Sequence, residues 1–161
     1  MSKIIYTNSD GVVSIITPAP GAINPNTGQE YTMQEIADKD VPVGISTYSI
    51  VDDSKVPTDR TFRGAWVGNS VGVSTATIEE DMTKAKEVHK DNIRLVRTPK
   101  LEELDVEYQR ATESSADTSA IVAKKQALRD APAASGITTA ANTTELKAQW
   151  DTSILGVSPY T

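Results

Sequence analysis

The sequence predicts an α+β protein with a small antiparallel β-rich part first, then an α-helical hairpin, and last an extended C-terminal arm. Three observations predict this order. Short β-branched runs between turn signals fill the first part of the chain, apolar residues take up helical spacing after Asp81, and the final residues follow neither period. We therefore expect a β-rich module over residues 1–78, a helical module over 81–150 and an arm over 151–161.

A β-hairpin is predicted at the start of the chain. In KIIYTNSDGVVSIITP, two short β-branched runs flank the segment Asn8–Gly11, which ends in Asp-Gly. Asp-Gly favours the tight turns that join antiparallel strands. Pro18 and Pro20 end the second strand, because proline has no N–H to donate to a neighbouring strand.

A short helix and a further strand follow the hairpin. Thr32 and Glu35 have the spacing of a capping box, in which each side chain binds the backbone N–H of the other. The helix MQEIADKD must be brief, since Pro42 follows it at once. The segment STYSIVDD then alternates as a strand does, with Tyr48 and Ile50 on one face.

The end of the β-rich part is less defined. TFRGAWVG is predicted to form a strand on which Phe62 and Trp66 share a face. The following stretch, VGNSVGVSTATI, consists of small residues and glycines. Its composition is compatible with a hairpin, a lid or a linker.

Two helices are predicted on either side of Pro99. Asp81 is placed to cap the helix MTKAKEVHKDNIRLVR, and Pro99 is expected to interrupt it near Thr98. LEELDVEYQRAT resumes the helical spacing of apolar residues. A third long helix, TSAIVAKKQALRDA, is capped by Asp117 and ended by Pro132. It completes the predicted hairpin.

The remainder of the chain is predicted to be mostly irregular. AASGITTAAN is expected to be a loop, and TTELKAQW a helix of one or two turns. Pro159 prevents a helix through the end of DTSILGVSPYT, so a strand-like arm is expected there. We expect this arm to lie on another subunit through its apolar side chains, Ile154, Leu155, Val157 and Tyr160.

Composition excludes several classes of function. The net charge of −6 disfavours DNA and anionic membranes as partners. The absence of cysteine excludes disulfides and thiolate chemistry. No apolar run approaches the roughly 18 residues of a membrane span, and the N-terminus lacks the apolar region of a signal peptide. We expect cytoplasmic synthesis, with no cofactor, no metal and no small-molecule substrate.

Enzymatic chemistry is not expected either. The only histidine, His89, lies in the middle of a predicted helix, and its neighbours at three and four positions include no nucleophile and no carboxylate. We interpret His89 as a half-buried or surface residue with a structural role. The paired carboxylates, such as Asp52-Asp53 and Glu102-Glu103, are interpreted as solvated charges. We therefore predict a non-enzymatic protein with no catalytic residues.

A row of cations is the main candidate for a binding surface. Lys86, Lys90, Arg94 and Arg97 follow one another at spacings of four, four and three residues, so a straight helix presents them as one basic stripe. One interpretation is a solvated helix face. The other is docking on an acidic surface, either of a partner protein or of another copy of this acidic chain. Nucleic acid fits less well, since no aromatic residues are interleaved for base stacking.

Several motifs of the helical part resemble those of a known group of proteins. They are Lys84-Ala85 with His89 and Ile93-Arg94, Leu101 with Leu104-Asp105, Gln126 with Leu128-Arg129-Asp130 and Pro132, and Glu145 to Trp150. Together they are similar to small proteins encoded near the tail genes of tailed bacteriophages, many of which are described as tail-assembly or tail-fibre-assembly chaperone-like. The N-terminal KIIYTNSDGVVSIITPAPG also resembles a recurrent phage module.

The resemblance covers most of the chain and implies a non-enzymatic role. It implies a structural or adaptor component of the virion, attached to the tail, neck or fibres, that binds other phage structural proteins or copies of itself. The alternative it leaves open is an assembly chaperone that is not retained in the particle. This sequence departs from the pattern in its longer VGNSVGVSTATI stretch and in the eleven residues after Trp150.

Overall fold

The predicted α+β fold is confirmed in a computed structural model that describes residues 1–160. The chain divides into two units, a β unit over Met1–Asp81 and a helical unit that begins at Met82. The β unit contains five strands and one helix, and their bounds are β1 Ser2–Thr7, β2 Val13–Ile16, α1 Met33–Asp40, β3 Tyr48–Asp52, β4 Trp66–Asn69 and β5 Thr77–Glu80.

The first three strands form an antiparallel sheet with β1 in the centre, in the order β2-β1-β3. Successive residues of β1 point to opposite faces of the sheet. Ile4 lies opposite Ile16 and Ile50, whereas Ile5 lies opposite Ile15 and Ser49. Both Ile4 and Ile5 are fully buried, so both faces of this sheet are covered.

Different elements pack against the two faces of the sheet. On one face, Ile4 packs with Ile36 and Ala37 of α1. On the other face, Ile5 packs with Trp66 and Ile78, which lie on the antiparallel hairpin formed by β4 and β5. The stretch VGNSVGVSTATI, left open as hairpin, lid or linker, is therefore part of a hairpin: it contains the end of β4, the turn and the start of β5.

Local signals in the β unit gave the correct turn and cap. The N-terminal hairpin turns at residues 8–11, with Gly11 at a φ of 74°, a value that glycine adopts without strain. The capping box is present, since Thr32 accepts from the Glu35 N–H and Glu35 accepts from the Thr32 N–H. Both predictions are confirmed.

The strand predicted over TFRGAWVG begins later than expected. Phe62 precedes a single 3₁₀ turn over Arg63–Ala65, and the strand starts only at Trp66. Phe62 and Trp66 are both buried, but they do not share a strand face. Gly64 belongs to the turn.

Through residue 160, the helical unit contains five α-helices: α2 Met82–Glu113, α3 Ser119–Asp130, α4 Ser135–Thr139, α5 Thr143–Lys147 and α6 Thr152–Leu155. The helices α2 and α3 form the predicted antiparallel hairpin. Arg97 in the first half of α2 reaches the end of α3, while Asp105 further along α2 pairs with Lys125 earlier in α3. The predicted loop AASGITTAAN was wrong, because it contains α4.

Pro99 does not interrupt α2, contrary to the prediction. The helix runs through it as 32 continuous residues. A proline inside a helix leaves the carbonyl four residues earlier without its usual donor, here that of Leu95. Leu95 and Pro99 are both exposed, so this carbonyl lies on the solvent side, and the neighbouring Thr98 hydroxyl donates to the Arg94 carbonyl at 2.8 Å. Water can therefore bind the Leu95 carbonyl, which reduces the free-energy cost of the proline within the helix.

The extended arm predicted over residues 151–161 was also wrong for the residues described. Residues 152–155 form α6, capped by Asp151, whose carboxylate accepts from the Ser153 N–H at 2.9 Å. The segment ends with Tyr160 folded back onto α2. Thr161 lies outside the described residues. The Asp151–Ser153 turn thus starts a helix that ends at Leu155, four residues before Pro159.

Candidate protein-binding groove

The core of the helical unit contains an aromatic cluster made of His89, Trp150 and Tyr160. The rings of His89 and Tyr160 stack with their centroids 5.4 Å apart. Trp150 stands edge-on to both rings, at 6.2 Å from His89 and 5.6 Å from Tyr160. Edge-to-face and offset-stacked rings are the favoured arrangements of aromatic side chains, so this cluster is a packing element.

His89 is fully buried, so the prediction of a half-buried or surface residue was wrong. Its Nδ1 lies 2.7 Å from the hydroxyl of Tyr160, and its Nε2 has no hydrogen-bond partner among the described residues. Burial lowers the pKa of His89 to about 4, because an imidazolium is poorly solvated in the core. His89 is therefore neutral at pH 7. Burial likewise raises the pKa of Tyr160.

Eight of the motif residues that carry the phage resemblance are core residues of this unit. Those that the structure buries are Ala85, His89, Ile93, Leu104, Leu128, Pro132, Leu146 and Trp150. The buried part of the motif therefore describes the packing of a helical scaffold. Two of its exposed members, Arg94 and Arg129, lie on the surface of that scaffold.

The four arm residues predicted to bind a partner have different positions. Leu155 is buried within its own unit, and Tyr160 packs on His89 as described. Ile154 is partly buried, and Val157 is 88% exposed. Trp150 also donates its Nε1–H to the carbonyl of Gly156 at 3.0 Å. The segment thus completes the core of its own chain, and Val157 alone of the four keeps a largely exposed side chain.

The basic stripe divides into two pairs. Lys86 donates to the carbonyl of Thr138 at 2.7 Å, and Arg97 donates to the carbonyl of Arg129 at 2.9 Å. These carbonyls lie at the ends of α4 and α3, where carbonyls have no intrahelical donor and cations are favoured. Lys86 and Arg97 therefore attach α2 to the two helices beside it.

The other two cations of the stripe pair with acids on their own helix. Lys90 contacts Glu87 at 2.7 Å, and Arg94 contacts Asp91 at 2.6 Å. The side chain of Arg94 keeps 47% of its surface exposed. Ion pairs this exposed contribute little to stability, so Arg94 remains available to a partner.

A shallow groove gathers three cations of the stripe with a fourth, Arg129, which was predicted as part of a motif and not as a binding residue. We call it the cationic groove and define it by four side chains, Lys90, Arg94 and Arg97 of α2 and Arg129 of α3. Pro132, Ala133 and Thr138 also line it. Arg129 was missed because its approach to the stripe depends on the pairing of α2 with α3, which no local pattern specifies.

The two units differ sharply in charge. The β unit, residues 1–81, has eleven Asp and Glu against five Lys and Arg, a net charge of −6. Residues 82–161 have eleven of each, a net charge of zero. The whole excess of acid thus belongs to the β unit, while the cationic groove belongs to the helical unit.

Other kinds of site find no support in the described chain. No group of three or more metal-binding side chains in residues 1–160 is placed to hold a metal ion. None of the helices over the same residues is long and apolar enough to cross a membrane. The cationic groove is the candidate binding surface.

No protein-family model, no curated protein and no solved structure matches this chain. The similarity to tail-associated phage proteins therefore stays a prediction from the motifs. Its buried residues are the ones named above.

Proposed function

We propose that this protein is a non-enzymatic component of a tailed-phage particle that acts as an adaptor at the tail, neck or fibres through protein–protein contacts. The phage assignment rests on the motif resemblance. The observation that supports binding is the cationic groove, where Lys90, Arg94, Arg97 and Arg129 converge on the surface of a unit whose interior is packed. The protein is made in the host cytoplasm and carried in the virion.

The contacts of the groove favour a protein partner. Arg97 and Lys86 are held in place by backbone carbonyls, so little side-chain freedom is lost when an acid binds beside them. Guanidinium groups bind carboxylates through paired hydrogen bonds, and Arg94 and Arg129 are both exposed. Acidic side chains of another phage structural protein, or of another copy of this chain, suit such a surface.

A second candidate function is an assembly chaperone that leaves before the particle is complete. Two observations favour it. The C-terminal segment packs on its own chain, so it is not placed to hold the protein on another subunit of a finished particle. The far end of the helical hairpin exposes Val106, Tyr108 and Val122 by 47%, 39% and 47%. Exposed apolar side chains of this kind are suited to bind, for a time, the apolar surface of a partner that is not yet assembled.

The protein content of purified particles separates the two functions. An adaptor is expected in particles at a fixed ratio to the major tail protein, measured by quantitative mass spectrometry. A chaperone is expected to be absent from particles, while deletion of its gene leaves tails or fibres incomplete in electron micrographs. Normal particles that lack the protein and form without its gene would contradict both.

A further inference from the structure

We propose that the cationic groove binds the acidic surface of the β unit of a second copy of this chain. The inference rests on the proposed function and names a partner for its groove. The contact is between unlike surfaces, one on each unit. It would let copies associate before or within a larger assembly.

The charge distribution carries the argument. A chain with a net charge of −6 repels other copies on average, yet here all of the excess acid lies in the β unit and four cations converge in the helical unit. Opposite charges on separate surfaces steer association toward one orientation and disfavour others. The orientation they favour sets the β unit of one copy against the groove of the next.

Positive charge is only partly compensated in the groove of the isolated chain. Lys90 and Arg94 lie four residues apart on α2, a spacing at which like charges repel each other. Arg129 adds a further cation from α3, and among residues 1–160 it has no ion-pair partner. Glu87 and Asp91 compensate the first two only. Carboxylates from outside would remove this repulsion.

Protein carboxylates fit the groove better than a phosphate backbone does. Glu87 and Asp91 border it and would repel a continuous chain of phosphates. The other residues that line the groove, Pro132, Ala133 and Thr138, offer no aromatic ring for a base to stack on. Discrete carboxylates, by contrast, can approach Arg94 and Arg129 while the two acids stay in place.

Sedimentation velocity of the full chain tests the inference. At 50 mM NaCl we expect concentration-dependent association, and at 500 mM NaCl a dissociation constant at least about tenfold higher, because salt screens exposed charges. The double variant R94E/R129E should be monomeric at both salt concentrations. The matched control R110E/K124E changes the net charge equally with exposed cations outside the groove, and should still associate at 50 mM NaCl.

Three outcomes would overturn the inference. They are a monomer at 50 mM NaCl, equal loss of association in both double variants, and groove-dependent binding of a fluorescent single-stranded DNA in 150 mM NaCl without self-association. If R94E/R129E does not fold, judged by circular dichroism, K90Q/R94Q is used instead and should weaken association by about tenfold. A monomer that is nonetheless found in purified particles defeats this inference and leaves the proposed function standing.

Discussion

The two units bury their cores in different ways. In the β unit, apolar side chains cover both faces of a three-stranded sheet, and the buried residues of its central strand alternate between the faces, as Ile4 and Ile5 do. In the helical unit, the centre is an aromatic cluster in which His89 and Tyr160 lie 71 positions apart in the sequence. The β unit therefore depends on local pattern, whereas the helical unit depends on its last ten described residues folding back onto its first helix.

The difference in charge follows the same division. The β unit carries the net charge of −6, and the neutral helical unit gathers cations in one groove. The zero net charge of the helical unit does not indicate the groove, because acidic residues elsewhere on the unit balance its cations. Net charge alone indicates only the acidic β unit and does not reveal the cationic groove.

The largest expected effect comes from removing the aromatic centre of the helical unit. Trp150→Ala deletes a 5%-exposed side chain, and such truncations cost about 3–5 kcal/mol. Urea unfolding followed by circular dichroism at 222 nm measures it. The control Val157→Ala lies in the same segment at 88% exposure and should change the free energy of unfolding by less than about 0.5 kcal/mol. Similar values for both would show that the segment does not pack as described.

Acid should weaken the helical unit more than the β unit, which has no histidine. The pKa of His89 is about 4 in the folded chain against 6.5 in the unfolded chain, so the unfolded state binds the proton first. Stability due to this residue is complete above pH 6.5 and falls by about 1.4 kcal/mol per pH unit down to about pH 4. His89→Gln should remove this slope, as measured by urea unfolding at several pH values. A wild-type stability that stays flat from pH 6.5 to 4 would contradict it.

A smaller effect is expected from the hydroxyl of Tyr160. Tyr160→Phe keeps the ring stack but removes the hydroxyl that lies 2.7 Å from His89, leaving Nδ1 unsatisfied in the core. Such a loss costs about 1–3 kcal/mol. The matched control is Tyr108→Phe on the exposed part of α2, which should cost less than about 0.5 kcal/mol. Chemical denaturation of the two variants compares them, and equal costs would count against a buried His89–Tyr160 bond.

The smallest effect concerns the β unit, where a single cap tests a purely local signal. Thr32→Ala removes the acceptor of the Glu35 N–H in the capping box and should cost about 1 kcal/mol. Thr75→Ala, an exposed threonine between β4 and β5, is the control. Differential scanning calorimetry should show a lower melting temperature for the first variant alone. No difference between them would mean that α1 is held by packing against Ile4 and not by its cap.

Sequence reasoning succeeded where a structure is specified by neighbours in the chain. The Asp-Gly turn, the Thr32 capping box and the Pro42 stop each act within a few residues, so their physics can be deduced from the printed sequence. The α+β class and the helical hairpin were predictable for the same reason. The Pro99 interruption failed because the rule omits which side of the helix faces solvent.

The candidate site was predictable only in part. The basic stripe is a local pattern, but the attachment of Lys86 and Arg97 to neighbouring helix ends, and the addition of Arg129, depend on tertiary contacts. The burial of His89 has the same origin, since Tyr160 and Trp150 are distant in sequence. The folded-back C-terminal segment could not be deduced because its apolar residues suit a partner and its own core equally well.

Carbodiimide cross-linking between isotope-distinguished copies tests the central claim most directly. Equal amounts of ¹⁴N and ¹⁵N full-length chain are mixed at 50 mM NaCl, coupled and analysed by mass spectrometry. The link from Lys90 to Glu87 within one copy, 2.7 Å apart, serves as an internal control. We expect mixed-isotope links that join Lys90 to carboxylates of residues 1–81 and that disappear at 500 mM NaCl. Mixed links confined to other lysines, or none while the internal control forms, would contradict it.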